Sequence, residues 1–282
     1  MTDPAALLHA PLGQPGSGRV RYAAAMELWR QGRISAEVLE VYRVASAHDG
    51  QNPAYLLQDR HLPVPSFPES TDALTRLYHA ARDYVLALRH PGAAEVRAAL
   101  PADPGPPRPT PGARNKVVDA WLHPALHAVT GAPALVEALA GAAGSLAWVT
   151  YDAYPRDRIG EAFATGHAYA SILGEAAPFA ARDVDLGVFL IAPNVLYRDH
   201  HHAAPELYAP LTGPHGWRFG PDRPLQVKPA HQPVWNPRHK PHLTKVGAVP
   251  FLCLFVWTGD VQQNARVLPA NDWPALEELR LG

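Results

Sequence analysis

The chain changes character partway along, and that change limits its fold more than any other feature. Up to about residue 173 apolar residues recur at helical spacing, whereas from Asp183 to Gly259 the sequence becomes short β-type runs separated by Pro, Gly and Asp clusters. Runs of that length and spacing predict a small antiparallel barrel or sandwich. The fold class expected is therefore α+β, a helical N-terminal region followed by a C-terminal antiparallel β-barrel. Val20 to Ala47 predicts two helices broken near Gly32, with Tyr22, Ala25, Met26 and Trp29 on the first and Val38, Val41, Tyr42 and Ala45 on the second. Ser70 to Leu88 predicts another, capped by Ser70 or Thr71, and Lys116 to Ala142 returns to helical composition. Between them Pro101 to Arg114 holds six prolines and two glycines and reads as an extended connector. Leu146 to Tyr151 is expected as a short strand and Arg158 to Leu173 as a last helix. The division that follows is a mainly helical region 1–144, with its connector at 101–114, and a barrel at 145–282.

Composition narrows the partners. Lys plus Arg (25) nearly balance Asp plus Glu (26), so no overall field draws nucleic acid or an anionic membrane, and a small molecule is the expected partner. The longest apolar run, Val246 to Trp257, contains Pro250 and falls short of the roughly 20 residues of a membrane span. No basic segment followed by an apolar core opens the chain, and the lone Cys253 forms no internal disulfide, so a cytoplasmic location is expected. The thiol itself lies in the most apolar run, where a buried, inert side chain is expected. For the N-terminal helices two roles stay open, covering the barrel mouth and forming a homodimer contact.

Seven of the 15 histidines lie between His200 and His242. Within that span His200, His202, Glu206 and Tyr208 share one parity. Side chains of one parity in an extended strand face one side, so these four are predicted to project into one interior, with Leu207 and Ala209 facing the other way. Neutral imidazoles and a carboxylate suit one divalent first-row ion such as Fe, Mn, Co, Ni or Zn. A fourth ligand from another strand would complete the set: His242 is the choice, with His231 and His239 as rivals. His201 has the opposite parity and is left out. The pair His123 and His127, with Pro124 between them, reads as surface or packing, and the charge run Asp152 to Arg158 as a solvated loop.

The spacing His200-x-His202-x3-Glu206-x6-Gly213 resembles the first cupin motif, with Asn194 where its leading glycine would stand. The second cupin motif is matched more loosely by Pro237-Arg238-His239-Lys240-Pro241-His242, where His239 takes the place of glycine and Val246 that of asparagine. His242 fits that motif's ligand position. Glu206-Leu207-Tyr208 further resembles the ExY extension of the cupin dimethylsulfoniopropionate (DMSP) lyases, as do the placements of Tyr197 and Trp257. The resemblance implies a metal-dependent carbon-sulfur lyase that releases dimethyl sulfide and acrylate by β-elimination. In it Tyr208 is the catalytic base, His200, His202, Glu206 and His242 are the metal ligands, and Tyr197 and Trp257 bind substrate, with Trp235 a further candidate. A family relative acting on another small carboxylate, by elimination, isomerisation or oxygen chemistry, and a metal-containing binding cupin without turnover are the alternatives.

Overall fold

The apolar stripes become helices where a cap or a proline starts them. The computed structural model describes residues 4–65, 68–108, 110, 115–152, 154–221 and 223–281. Helices α1 (Pro4–Leu7), α2 (Ser17–Arg30), α3 (Ala36–Ala45) and α4 (Pro53–Asp59) come first. Gly32 at φ 69° separates α2 from α3, as the sequence predicts. Ser35 accepts from Val38 N to cap α3, and Asn52 accepts from Ala54 N to cap α4. Leu28, Val41 and Leu57 are fully buried in a small core of these four helices.

Next come α5 (Pro68–Ala87), α6 (Pro91–Arg97), α7 (Lys116–Ala128) and α8 (Pro133–Ala142). Helix α5 begins at Pro68, so Ser70 and Thr71 fall in its first turn rather than ahead of it. The helical stretch expected over 116–142 divides because Pro133 cannot continue α7 and instead starts α8. Within the Pro-rich connector, residues 109 and 111–114 lie outside the described residues; the described part carries neither helix nor strand.

The expected helix from Arg158 to Leu173 is only partly present. Short α9 (Arg156–Ile159) and α10 (Glu161–Gly166) meet at Gly160, φ 87°, and residue 167 onward is strand β1 (His167–Gly174). Small residues there have adequate helix propensity, but pairing with a neighbouring strand overrides it. The expected strand over Leu146 to Tyr151 is reduced to one bridge, Val149 to Tyr169.

The barrel continues with β2 (Phe179–Ala180), β3 (Val184–Ile191), β4 (Leu196–His201), β5 (Glu206–Pro210), β6 (His215–Arg218), β7 (Gln226–Lys228), β8 (Val234–Asn236), β9 (His242–Lys245), β10 (Phe251–Thr258) and β11 (Arg266–Val267), and α11 (Trp273–Glu278) follows. One sheet has the order β2-β1-β3-β10-β5-β8, the other β11-β4-β9-β6-β7. Their pairings are antiparallel except that of two-residue β2, which runs parallel to β1.

The alternation along β10 explains why it is buried on both faces. Leu252, Leu254 and Val256 point outward into a core shared with Leu77, Tyr78, Val96 and Leu139 of the helices. Phe251, Cys253 and Phe255 point inward, where they meet Tyr197, Tyr208 and Trp217 from both sheets. A strand covered on both faces reads as a continuous apolar run. Cys253 is fully buried there, and burial raises its thiol well above the usual range.

Leu254→Ala removes buried methyl groups from the shared helix and sheet core and is expected to cost about 2–5 kcal/mol. Urea unfolding followed by far-UV circular dichroism and by tryptophan fluorescence checks this. Both midpoints are expected to fall together, and movement of only one would contradict a shared core.

Candidate metal centre and its cavity

Three strands bring the predicted ligands together. His200 on β4 lies directly opposite His242 on β9. Glu206 on β5 lies between Asn236 of β8 and Trp257 of β10. The ligating atoms available on His200, His202 and His242 fall within 4.8 Å of one another, and all three residues are buried. Among the described residues they are the only such group of three or more. Parity holds on β5, since Glu206 and Tyr208 face inward while Leu207 and Ala209 join the outer core. On β4 parity alone would turn Tyr197 away from His200. The register shifts between them, and that irregularity puts both on one side, with rings stacked at 3.9 Å between centroids.

Backbone carbonyls fix how each imidazole is presented. Arg198 O lies 2.8 Å from His200 Nδ1, Ala204 O 2.6 Å from His202 Nδ1 and Lys240 O 2.9 Å from His242 Nδ1. A carbonyl only accepts, so each Nδ1 donates, and in a neutral ring Nε2 is left as the bare acceptor. His200 Nε2 and His242 Nε2 are buried without a hydrogen-bond partner. Burial first, then the proximity of His242 and His202, holds His200 well below the usual histidine range, so it is neutral and ligating in form.

The Glu206 carboxylate lies against two of the three imidazoles, outside the group whose ligating atoms are within 4.8 Å of one another. Trp257 Nε1 donates to Glu206 Oε1 at 2.6 Å, and Asn236 Nδ2 donates to Oε2 at 3.2 Å. His202 Nε2 and His242 Nε2 approach Oε2 at 3.2 and 3.4 Å. Burial pushes this carboxyl up, but the histidines, His202 foremost, outweigh burial and hold it well below the usual carboxylate range. With Nδ1 already donating, a neutral His202 would turn a lone pair toward a carboxylate oxygen. A positive charge, a proton or a metal ion, has to lie between them. The orphaned Nε2 atoms and this lone-pair encounter both fit a divalent cation held by the three imidazoles, with a carboxylate beside two of them.

The rivals to His242 are engaged elsewhere. His231 Nε2 donates to Thr130 O at 2.7 Å, and its Nδ1 lies 2.8 Å from the Tyr84 hydroxyl, tying the barrel to the helices. His239 is exposed and its ring neighbours His201. Trp235 faces outward as well: it is paired with Leu207, and its ring covers Gly92 of α6, where even an added β-carbon would lie 2.7 Å from it. That corrects its candidacy as a pocket aromatic.

Beside the cluster lies a cavity of about 220 Å³ lined by Tyr154, Tyr169, Asp185, Tyr197, Glu206, Tyr208, Phe255 and Trp257, with residues 261–265 at its rim. Trp257 stacks on His202, at 4.2 Å between centroids. Tyr197 is sandwiched between Phe163 and His200, and its hydroxyl is 3.5 Å from that of Tyr154. Tyr208 is buried, and burial first, then the charge of Glu206, raises its hydroxyl well above the usual phenol range. Sequence reasoning missed Tyr154, Asp185 and Asn236 as site residues, which lie outside the two cupin motifs and the ExY segment.

The inward-turned histidines and glutamate of this two-sheet barrel define a cupin-type fold with a metal-ready centre. The family model for dimethylsulfoniopropionate lyases matches residues 93–253, more than half of the chain, and the chain belongs to that family. It is 29% identical over 109 residues to the dimethylsulfoniopropionate lyase DddQ of Ruegeria pomeroyi, covering 39% of this chain and 54% of that protein. It is 30% identical over 127 residues to the putative dimethylsulfoniopropionate lyase DddL of Cereibacter sphaeroides, covering 45% of this chain and 51% of that protein. The chain thus spans about half the length of the curated relatives it matches. Two solved structures share the fold at 24% identity. One, from a study of the DMSP lyases RdDddP and RnDddQII, has a TM-score of 0.58 and aligns over 71% of this chain and 100% of its own. The other, DddQ of Ruegeria pomeroyi, has a TM-score of 0.55 and aligns over 70% and 96%. Among the described residues no helix is long and apolar enough to cross a membrane.

His242→Ala is expected to strip metal from the protein as measured by inductively coupled plasma mass spectrometry, whereas His231→Ala and His239→Ala keep it. Retention of metal by His242→Ala would remove that residue from the centre. Two framework histidines give a pH dependence. Burial lowers both His167 and His215 from 6.5 to about 4, so folding favours their neutral forms. The stabilisation is complete above about pH 6.5 and is lost as pH falls toward 4. Melting temperatures of the metal-free protein are expected to drop across that window, and a flat profile would contradict neutral burial.

Proposed function

We propose that this protein is a metal-dependent carbon-sulfur lyase that cleaves dimethylsulfoniopropionate to dimethyl sulfide and acrylate. The observation that carries the reading is the inward face of β5, which sets Glu206 at the three histidines and Tyr208 two residues further on in the same cavity. Membership of the DMSP lyase family supports the substrate class.

In this reading His200, His202 and His242, through Nε2, and Glu206 hold one divalent transition metal ion. When bound, the ion supplies Lewis-acid charge to a substrate carboxylate and to the negative charge that develops on it. Tyr208 takes the proton α to that carboxylate at its hydroxyl oxygen. The electrons of that C–H bond form the new double bond, and the C–S pair leaves with sulfur as neutral dimethyl sulfide. Acrylate keeps the carboxylate, and the proton passes from Tyr208 to water. Base action needs the phenolate form, which burial and Glu206 oppose. Neutralising Glu206 with a ligated cation removes the second of these penalties. Trp257 offers an aromatic face to a sulfonium, which has no hydrogen-bond donor of its own; such a contact contributes roughly 0.5–2 kcal/mol. Both faces of Tyr197 are covered by Phe163 and His200, so it meets the substrate through its ring edge and hydroxyl rather than a face.

Headspace measurement of dimethyl sulfide from metal-loaded protein and DMSP tests the reading, and no product at high enzyme concentration would sink the substrate assignment. Tyr208→Phe is expected to keep metal and lower turnover by about 10²–10⁴-fold, the usual contribution of a general base. Glu206→Ala is expected to lose metal and activity together. If Tyr208→Phe turned over at the wild-type rate, another residue would be the base.

A further inference from the structure

The cavity has a second polar end, away from the histidines. Trp257 on β10 is the direct partner of Glu206 on one side and of Asp185 on the other. Directly paired residues share a face, so Glu206 and Asp185 both point inward, two strand spacings or roughly 10 Å apart along the backbone. Asp185 lines the cavity, and its Oδ1 is buried without a hydrogen-bond partner. The Tyr151 hydroxyl, also lining the cavity, is a second buried oxygen without a partner.

The surroundings of Asp185 leave space and place aromatic rings in the same cavity. Gly174 leaves room beside Oδ1, since a β-carbon there would lie 3.2 Å away. Gly187, two residues along β3 on the same face, lets the ring of Phe255 lie against the sheet, because a β-carbon would fall 2.5 Å from it. Tyr169 meets Phe255 edge to face at 6.3 Å between centroids. Tyr169, Phe255 and Trp257 line the same cavity as the carboxylate; none of its lining residues is a lysine or arginine, and its polar amides, Gln262, Gln263 and Asn264, lie at the rim. The carboxylate has Ser171 as a side-chain hydrogen-bond partner, which still leaves Oδ1 without a donor. A buried oxygen in that state is costly, and a cation that brings charge but no N–H satisfies it electrostatically.

We propose that Asp185 is the counter-charge of this cavity and selects small carboxylates that carry a permanently charged onium group at their far end. The inference deepens the lyase reading and rests on it for substrate orientation, with the carboxylate at the histidines and the onium between Trp257 and Asp185. Burial raises the Asp185 carboxyl to about 6, which leaves it ionised for the most part at neutral pH.

Two ligands isolate the charge. 3-(Trimethylammonio)propanoate and 4,4-dimethylpentanoate share a carboxylate and a shape, and differ in a nitrogen cation against a neutral carbon. Calorimetric titration of metal-loaded wild-type protein is expected to show the ammonium compound binding about tenfold more tightly. Asp185→Asn is expected to erase that preference by weakening the ammonium compound about tenfold and the neutral one by less than about twofold, at unchanged metal content. Should the Asn variant fail to fold, Asp185→Ser serves the same comparison. No preference in the wild type, or an undiminished preference in the uncharged variant, would overturn the proposal. Dimethyl sulfide release is scored separately: charge selectivity without turnover keeps Asp185 and sinks the lyase reading, while turnover without charge selectivity does the reverse.

Discussion

The site depends on one arrangement, three imidazoles whose Nδ1 atoms are each held by a backbone carbonyl within two residues along the chain. Those bonds fix ring orientation and tautomer together, and they leave a bare Nε2 on each ring at one point inside the barrel. Burial alone would make such a cluster expensive. It is tolerable because a carboxylate, itself held by Trp257 and Asn236, lies against two of the rings and calls for a cation there. The sheets put strands on either side of that point, and the helices on the outer face keep the six-stranded sheet covered.

Strand register extends the same logic along the cavity. Trp257 holds Glu206 with its indole N–H, stacks on His202, and separates Glu206 from Asp185. One residue therefore links a metal-ready end, the neighbouring Tyr208 and a second carboxylate end. A substrate with one negative and one positive terminus matches that polarity, and the order of groups along β5, β10 and β3 sets which terminus goes where.

Much of this was legible in the sequence, and the exceptions have physical causes. Glu206 and Tyr208 were readable together because strand side chains alternate with period two, whereas His200 and His202 reach the same interior from β4 and the turn after it, in the other sheet, so the single extended segment expected over all four is not formed. Tyr197 breaks that parity, and only the irregularity in β4 returns it to the cavity. Asn194 and His239, where the cupin motifs carry glycine, adopt φ of 62° and 60°. Both positions take the left-handed backbone that glycine adopts without strain, and asparagine and histidine are among the other residues that tolerate it. Strand β1 was hidden because its small residues suit a helix equally well until β3 is beside it. Asp185 and Asn236 were invisible for a related reason: their proximity to Glu206 and Trp257 arises from pairing between strands far apart in sequence, which no local pattern encodes.

The most direct test of the central claim is anomalous diffraction from crystals of the metal-loaded protein, collected at the absorption edge of the bound metal. One peak is expected inside the barrel within bonding distance, about 2.0–2.2 Å, of Nε2 of His200, His202 and His242 and of a Glu206 carboxylate oxygen. A peak instead at His231, His239 or the surface histidines, with none at this point, would contradict it.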